Sequence, residues 1–261
     1  GVYVQAVILA GGLGTRLSEE TSLKPKPMVE IGNKPIIWHI MKMLSTHGIK
    51  EFIICCGYKG SIIKEYFENY SLLKGDVMFD LEKKSTEIVS DNHHEDWTVL
   101  CVETGESTLT GGRIKKIKKY LKHDEPFLLT YGDGVGNINI SELVKFHNGH
   151  KKLATVTAVK PPSRFGVLAI QEDGAVESFN EKPKGSNAWI NGGFFVMEPD
   201  FFKYIDDANV MLEREPIEKA TLNSQLYAYK HEGFWQCMDT PRDRELLETL
   251  WNNNEAPWKI L

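Results

Sequence analysis

Short apolar runs rich in β-branched residues alternate with stretches of helical period along most of the chain, and this alternation restricts the possible folds more than any other feature. Residues 5–9 read as a buried strand. Ile36, Ile40 and Leu44, with Ile37 and Met41 beside them, form one apolar helical face that Gly48 should terminate. Residues 52–56 predict a second strand and 62–70 a second helix. Further strands are expected at 77–81, 98–102, 126–131 and 153–159, a cationic amphipathic helix at Ile114, Ile117 and Leu121, and another helix over 140–147. The second half predicts strands at 167–170, 176–179, 192–196, 226–229 and 234–238, with helices near 201–205, 217–222 and 242–251. The succession implies an α/β fold: a three-layer, Rossmann-like, mostly parallel mixed sheet flanked by helices, with a smaller mixed α+β sub-region after about residue 160. With no linker, internal repeat or hexapeptide-repeat tail, residues 1–261 read as a single domain without a β-helix.

Composition narrows the function classes. The 261 residues are 41% hydrophobic and 26% charged, which suits a globular chain rather than a disordered one. Lys and Arg total 31 against 36 Asp and Glu, a net charge of −5 that argues against a nucleic-acid-coating surface or a polybasic membrane anchor. Anionic small molecules need only a local cluster of cations. The longest apolar runs fall far short of the roughly 18 residues of a membrane span, and no secretory signal pattern opens the chain. Cys55, Cys56, Cys101 and Cys237 lack metal-ligand spacing and read as reduced thiols. His93, His94, His147 and His150 lack cysteine or carboxylate companions at ligand spacing and read as solvated.

In open α/β sheets ligands bind beyond the carboxyl ends of strands, so the residues that follow each strand carry the functional argument. The first strand runs into Ala10-Gly11-Gly12-Leu13-Gly14-Thr15-Arg16-Leu17. Three glycines in four residues let backbone N–H groups approach a ligand, and Arg16 adds a bidentate cation for phosphate, although an ordinary tight turn has the same glycines. A dinucleotide fingerprint would need glycine where Leu17 stands, and a P-loop would need Gly-Lys-Ser/Thr, so neither fits. Lys26 lies between Pro25 and Pro27, which should hold the backbone extended and make the lysine cheap to place on a phosphate. Asp133, between Gly132 and Gly134 at a strand end, is either a turn aspartate or a ligand for Mg²⁺. Asp239 has the same two readings, because Asp239-Thr240-Pro241 also opens a helix. Arg164-Phe165-Gly166, Glu181-Lys182-Pro183 and Asn191-Gly192-Gly193 offer polar groups beside permissive backbone, each equally explicable as a bulge or surface ion pair.

Gly11-Gly12-x-Gly14-Thr15-Arg16-Leu17, Thr21, Pro25-Lys26-Pro27-Met28, Gly132-Asp133, Glu181-Lys182-Pro183 and Asn191-Gly192-Gly193 together resemble the signature of the sugar-1-phosphate nucleotidylyltransferases, over nearly the whole chain. Segments 54–60, 110–113 and 233–240 are most similar to those of members that use CTP and glucose 1-phosphate. The resemblance implies that CTP and α-D-glucose 1-phosphate give CDP-glucose and pyrophosphate, for the CDP-deoxyhexoses of bacterial surface polysaccharides. It implies a nucleotide-binding part over about 5–160 and a sugar-binding and C-terminal part over about 161–261. Leu9, Ala10, Gly11, Gly12, Gly14, Thr15, Arg16, Lys26, Thr108, Arg113 and Gly132 would surround the nucleotide. Gly166, Glu181, Lys182, Asn191 and Gly192 would surround the sugar phosphate, and Asp133 and Asp239 would bind Mg²⁺. Arg16, Lys26 and Asp133 would carry catalysis. The expected enzyme is cytoplasmic, free of nucleic acid and membrane, and a homo-oligomer, a hexamer among the sizes the resemblance allows. A uridylyl or thymidylyl enzyme, a non-catalytic nucleotide-sugar sensor on the same fold and, more distantly, an oxidoreductase stand as alternatives.

Overall fold

The computed structural model describes residues 3–90, 95–160, 167–180, 188–206 and 209–259. The expectations for His93, His94, Gly166, Glu181 and Lys182 lie outside the described residues. A mixed sheet of eight strands forms the centre: β1 (Gln5–Leu9), β2 (Glu51–Cys56), β3 (Thr98–Glu103), β4 (Phe127–Tyr131), β5 (Ala154–Val159), β6 (Ile190–Asn191), β7 (Phe195–Met197) and β8 (Leu226–His231). Across it the order is β8, β5, then β6 and β7 as one interrupted strand, then β4, β1, β2 and β3. β1 pairs in parallel with both β2 and β4, as do β2 with β3 and β5 with β8, whereas β6 and β7 run antiparallel to their neighbours. The mostly parallel mixed sheet is the one the alternating pattern predicts.

Six helices matter here: α1 (Ile36–Thr46), α2 (Gly60–Glu68), α3 (Thr110–Ile117), α4 (Ile140–His150), α5 (Glu215–Leu222) and α6 (Pro241–Asn252). Successive side chains of β1 point to opposite faces. Ala6 and Ile8 pack with Ile36, Ile37, Ile40 and Leu44 of α1, while Val7 and Leu9 pack with Ile114 and Ile117 of α3 and with Phe127. Each fully buried aliphatic side chain contributes about 1.5–3 kcal/mol, so this two-faced strand ties both helical layers to one sheet. α1 stops where expected, with Gly48 at a φ of +99° and its N–H donating to the Ser45 carbonyl at 2.9 Å.

Several details differ from the expectations. The strand expected at 192–196 is broken, because Gly193 (φ +73°) and Phe194 (φ +44°) turn left-handed and the Asn191 side chain caps the Gly193 N–H at 2.8 Å. The segment near 201–205 forms a 3₁₀ turn, Pro199–Tyr204, that buries Phe201, Phe202 and Tyr204. Asp76–Asp80 is half of a hairpin whose other strand, Ser85–Ser90, has no buried apolar run to announce it. His147 is 1% exposed rather than solvated; its Nδ1 lies 2.7 Å from Thr155 Oγ1 and its Nε2 3.0 Å from Glu198 Oε1, a partner 51 positions away that helical spacing cannot reveal.

Candidate functional site

The chain leaves β1 toward β2 on one side and later returns to β4 on the other, so the crevice beyond Leu9 and Tyr131 is the switch point of the sheet. Gly132 N–H donates to the Leu9 carbonyl at 2.9 Å and locks the two strand ends together. Beyond them opens a cleft of about 540 Å³. A depression of similar size, about 560 Å³, lies between the chain start and α4 and is lined by Tyr3, Val4, Pro126 and Val144; it has neither glycine loop nor paired carboxylates.

One wall of the cleft is the glycine loop. Gly14 adopts a φ of +62°, and a Cβ there would press on Lys26 and on Thr21 at 3.1 Å. Thr21 Oγ1 donates to the Gly14 carbonyl at 2.9 Å, which explains the threonine in the signature. A Cβ on Gly11 would collide with the Arg113 guanidinium. Arg113 lines the cleft and is only 4% exposed. Its Nη1 donates to Thr104 Oγ1 at 2.8 Å and the Gly105 carbonyl at 2.7 Å, and its Nη2 to the Gly11 carbonyl at 3.1 Å. This arginine therefore supports the glycine loop from beneath. Burial holds its pKa below the ordinary arginine value.

The second wall brings together the two aspartates. β4 leads through Asp133 into the strand Gly134–Gly136, which pairs antiparallel with Trp235–Cys237, Gly134 opposite Cys237. The Met238 N–H donates to the Asp133 carbonyl at 2.7 Å, continuing that ladder and setting Asp133 near Asp239. α6 completes the placement with a capping box. Thr240 Oγ1 accepts from Asp243 N–H at 3.3 Å, and Asp243 Oδ2 accepts from the N–H groups of Asp239 and Thr240, each at 3.0 Å, with Pro241 at the first helical position.

Lys26 joins the walls. Instead of remaining extended, Lys26–Met28 forms a 3₁₀ turn after the extended Pro25; Pro27 fits it because its first residues need no N–H donor. Lys26 Nζ lies 2.8 Å from Asp133 Oδ2 and 2.9 Å from Asp239 Oδ1, and Arg16 Nη1 lies 2.5 Å from Asp239 Oδ2. Burial works against the Lys26 charge, yet the two carboxylates prevail and raise its pKa. Burial likewise opposes ionisation of Asp239, and Lys26 and Arg16 outweigh it, so its pKa is lowered.

Leu9, Ala10, Gly12, Thr108, Gly132 and Asn191 also line this cleft. Thr15 and Arg16 stand exposed in the 3₁₀ turn Thr15–Leu17 at its edge, and Gly192 lies behind it with its carbonyl accepting from Trp235 Nε1 at 3.0 Å. Sequence reasoning missed a polar chain across the cleft. Asn191 Nδ2 donates to Tyr131 Oη (3.1 Å), Tyr131 Oη to Glu213 Oε1 (2.9 Å), and Thr110 Oγ1 to Glu213 Oε2 (2.6 Å). Burial and the facing Glu213 carboxylate push the Tyr131 pKa up. Tyr131 precedes the Gly132-Asp133 motif and could have been suspected; Glu213 sits in no motif, so nothing in the sequence marks it.

A glycine loop, two clustered cations and two carboxylates meet at the switch point, an arrangement whose N–H groups and positive charge suit a phosphate group. The nucleotidyl transferase family model matches residues 5–243, and the chain belongs to this family. It is 56% identical over 259 residues to the glucose-1-phosphate cytidylyltransferase of Salmonella typhi, covering 98% of this chain and 99% of that protein. It is 43% identical over 258 residues to the probable glucose-1-phosphate cytidylyltransferase of Bacillus subtilis (strain 168), covering 98% and 100%. Among solved structures, HddC from Yersinia pseudotuberculosis superposes with a TM-score of 0.68 at 22% identity, covering 95% of this chain and 99% of that one, which shows the shared fold.

Proposed function

We propose that this chain transfers CMP from CTP to α-D-glucose 1-phosphate, releasing pyrophosphate and forming CDP-glucose for deoxyhexose and O-antigen synthesis. The observation that carries the chemistry is the convergence of Lys26, Arg16, Asp133 and Asp239 beside the glycine loop. The near-full-length likeness to glucose-1-phosphate cytidylyltransferases supports the choice of base and sugar.

A phosphate oxygen of the sugar phosphate attacks the α-phosphorus of CTP. The new P–O bond forms as the bond to pyrophosphate breaks, with no proton transfer, because the nucleophile is already ionised. Repulsion between anions and misalignment are then the main barriers, and fixed positive charge and positioning lower them. The glycine-loop N–H groups and Arg16 hold the nucleotide phosphates, and Lys26 neutralises charge near the reacting phosphorus. Glu181, Lys182 and Gly166, matched only through the family resemblance, take the sugar phosphate with Asn191 and Gly192. The working division is a nucleotide part over about 5–160 and a sugar-binding and C-terminal part over about 161–261.

Asp133 and Asp239 would hold Mg²⁺. Their oxygens reach one common point, since both touch a single Lys26 ammonium, and among the described residues no third His, Cys, Asp or Glu joins them. That sparse carboxylate set suits Mg²⁺, which keeps waters and substrate phosphates among its ligands. When bound, the ion supplies charge neutralisation on phosphate oxygens.

The protein acts in the cytoplasm as a homo-oligomer. No helix among the described residues is long and apolar enough to cross a membrane. The hairpin Asp76–Asp80 and Ser85–Ser90 supports self-association: Met78, Phe79, Ile88 and Val89 are 59%, 60%, 43% and 52% exposed and belong to neither core cluster. Such a hairpin is marginal alone, and a second copy of the chain would cover it.

Pyrophosphate release from CTP, UTP, dTTP, ATP and GTP with glucose 1-phosphate, with and without Mg²⁺, tests the reading. Mg²⁺-dependent release fastest with CTP is expected. Faster release with another nucleotide would overturn the cytidine assignment, and none with any of them would overturn the catalytic one.

A further inference from the structure

The position where Asp133 and Asp239 converge is held by the protein's own cation. Lys26 Nζ is 2.8 and 2.9 Å from the two carboxylates, and the lysine side chain is only 13% exposed. Arg16 takes the remaining oxygen of Asp239 at 2.5 Å. Two carboxylates face two cations, so the cluster is electrically balanced within itself and has no net attraction for a dication. The metal ligands and the phosphate-binding lysine are therefore paired with each other.

We infer that Lys26 is an internal counter-ion that blocks the carboxylate pair in the free protein and releases it only when nucleotide phosphates offer the ammonium another anion. This interlock rests on the proposed roles of Asp133, Asp239 and Lys26. Mg²⁺ and its analogues give up water reluctantly and compete poorly with charge-assisted hydrogen bonds already formed. A triphosphate changes the balance by adding negative charge that Lys26 and Arg16 can neutralise. The 3₁₀ turn holds the Lys26 backbone between two prolines, so the exchange falls on the flexible stem of the lysine. Metal and nucleotide then assist one another, and linkage requires each to tighten the other by the same factor.

Mn²⁺ is the probe. Free Mn²⁺ is followed by electron paramagnetic resonance as it is titrated into the full chain, with and without a non-hydrolysable CTP analogue. Wild-type protein without nucleotide should bind roughly tenfold or more weakly than Lys26→Met, within the usual range of coupling between sites. The analogue should remove most of that difference, and Asp133→Asn added to Lys26→Met should abolish the gain. Lys26→Gln gives a second reading, and circular dichroism checks that each variant folds. Equal affinity of wild type and Lys26→Met without nucleotide would overturn the interlock and leave the metal site intact. Absence of Mn²⁺ binding in every variant, even with the analogue, would overturn the metal reading and the interlock together.

Discussion

Asp239 carries two duties that compete when it is read as a letter in a sequence and coincide in space. Its backbone N–H is held by Asp243 at the start of α6, while its carboxylate turns to Lys26 and Arg16. Arg113 shows the opposite case. The sequence singles it out, but its donors go to carbonyls under the glycine loop, contacts between distant segments that spacing does not encode. Asp133 is the sharper test of the reaction. Asp133→Ala should lower turnover by on the order of 100-fold or more at saturating Mg²⁺, since it removes half of the carboxylate pair. Near-normal steady-state pyrophosphate release from that variant would sink the assigned role.

At the scale of elements, the strands and helices announced themselves wherever local pattern and burial agree. β1 alternates between two cores, and α1 has one continuous apolar face with glycine beyond its end. Several of the unexpected elements have no apolar period to announce them: the strand Ser85–Ser90, the 3₁₀ turn at Lys26–Met28 and the break at Gly193-Phe194. The cap of α6 links an element to the site. Thr240→Ala should cost about 1 kcal/mol in urea denaturation. It should also raise the Mg²⁺ concentration needed for half-maximal rate, because the same turn orients Asp239. An unchanged Mg²⁺ requirement would show that the cap and the carboxylate are independent.

For the whole molecule, the C-terminal region closes over α1 through His39. The ring lies edge-on to Trp251 and Trp258 with centroids 4.5 and 6.1 Å away, its Nε2 2.8 Å from the Ile31 carbonyl and its Nδ1 accepting from Trp258 Nε1 at 3.3 Å. Burial lowers its pKa to about 4. The unfolded chain therefore takes up this proton first as pH falls, so the stability conferred by neutral His39 is whole above about pH 6.5 and lost on descending toward 4. Denaturant melts should show a steeper loss between those values in wild type than in His39→Gln; equal slopes would contradict it. Subunit assembly is testable at the same scale. Phe79→Glu combined with Val89→Glu should shift the species seen by size exclusion with light scattering to a smaller mass, and an unchanged mass would exclude the hairpin as the contact.

The linear chain by itself determined the α/β class, most elements and the chemistry of the loops, because apolar periodicity, glycine freedom and charge are local properties that survive reading one residue at a time. Only the tertiary structure decided which of those loops meet. The pairing of Gly134–Gly136 with Trp235–Cys237 brings Asp133 to Asp239, the switch at β1 and β4 brings both to Lys26, and the lysine read from the sequence as a phosphate ligand sits between the two carboxylates. Such long-range encounters depend on the sheet's register and burial, which are set by the whole chain together.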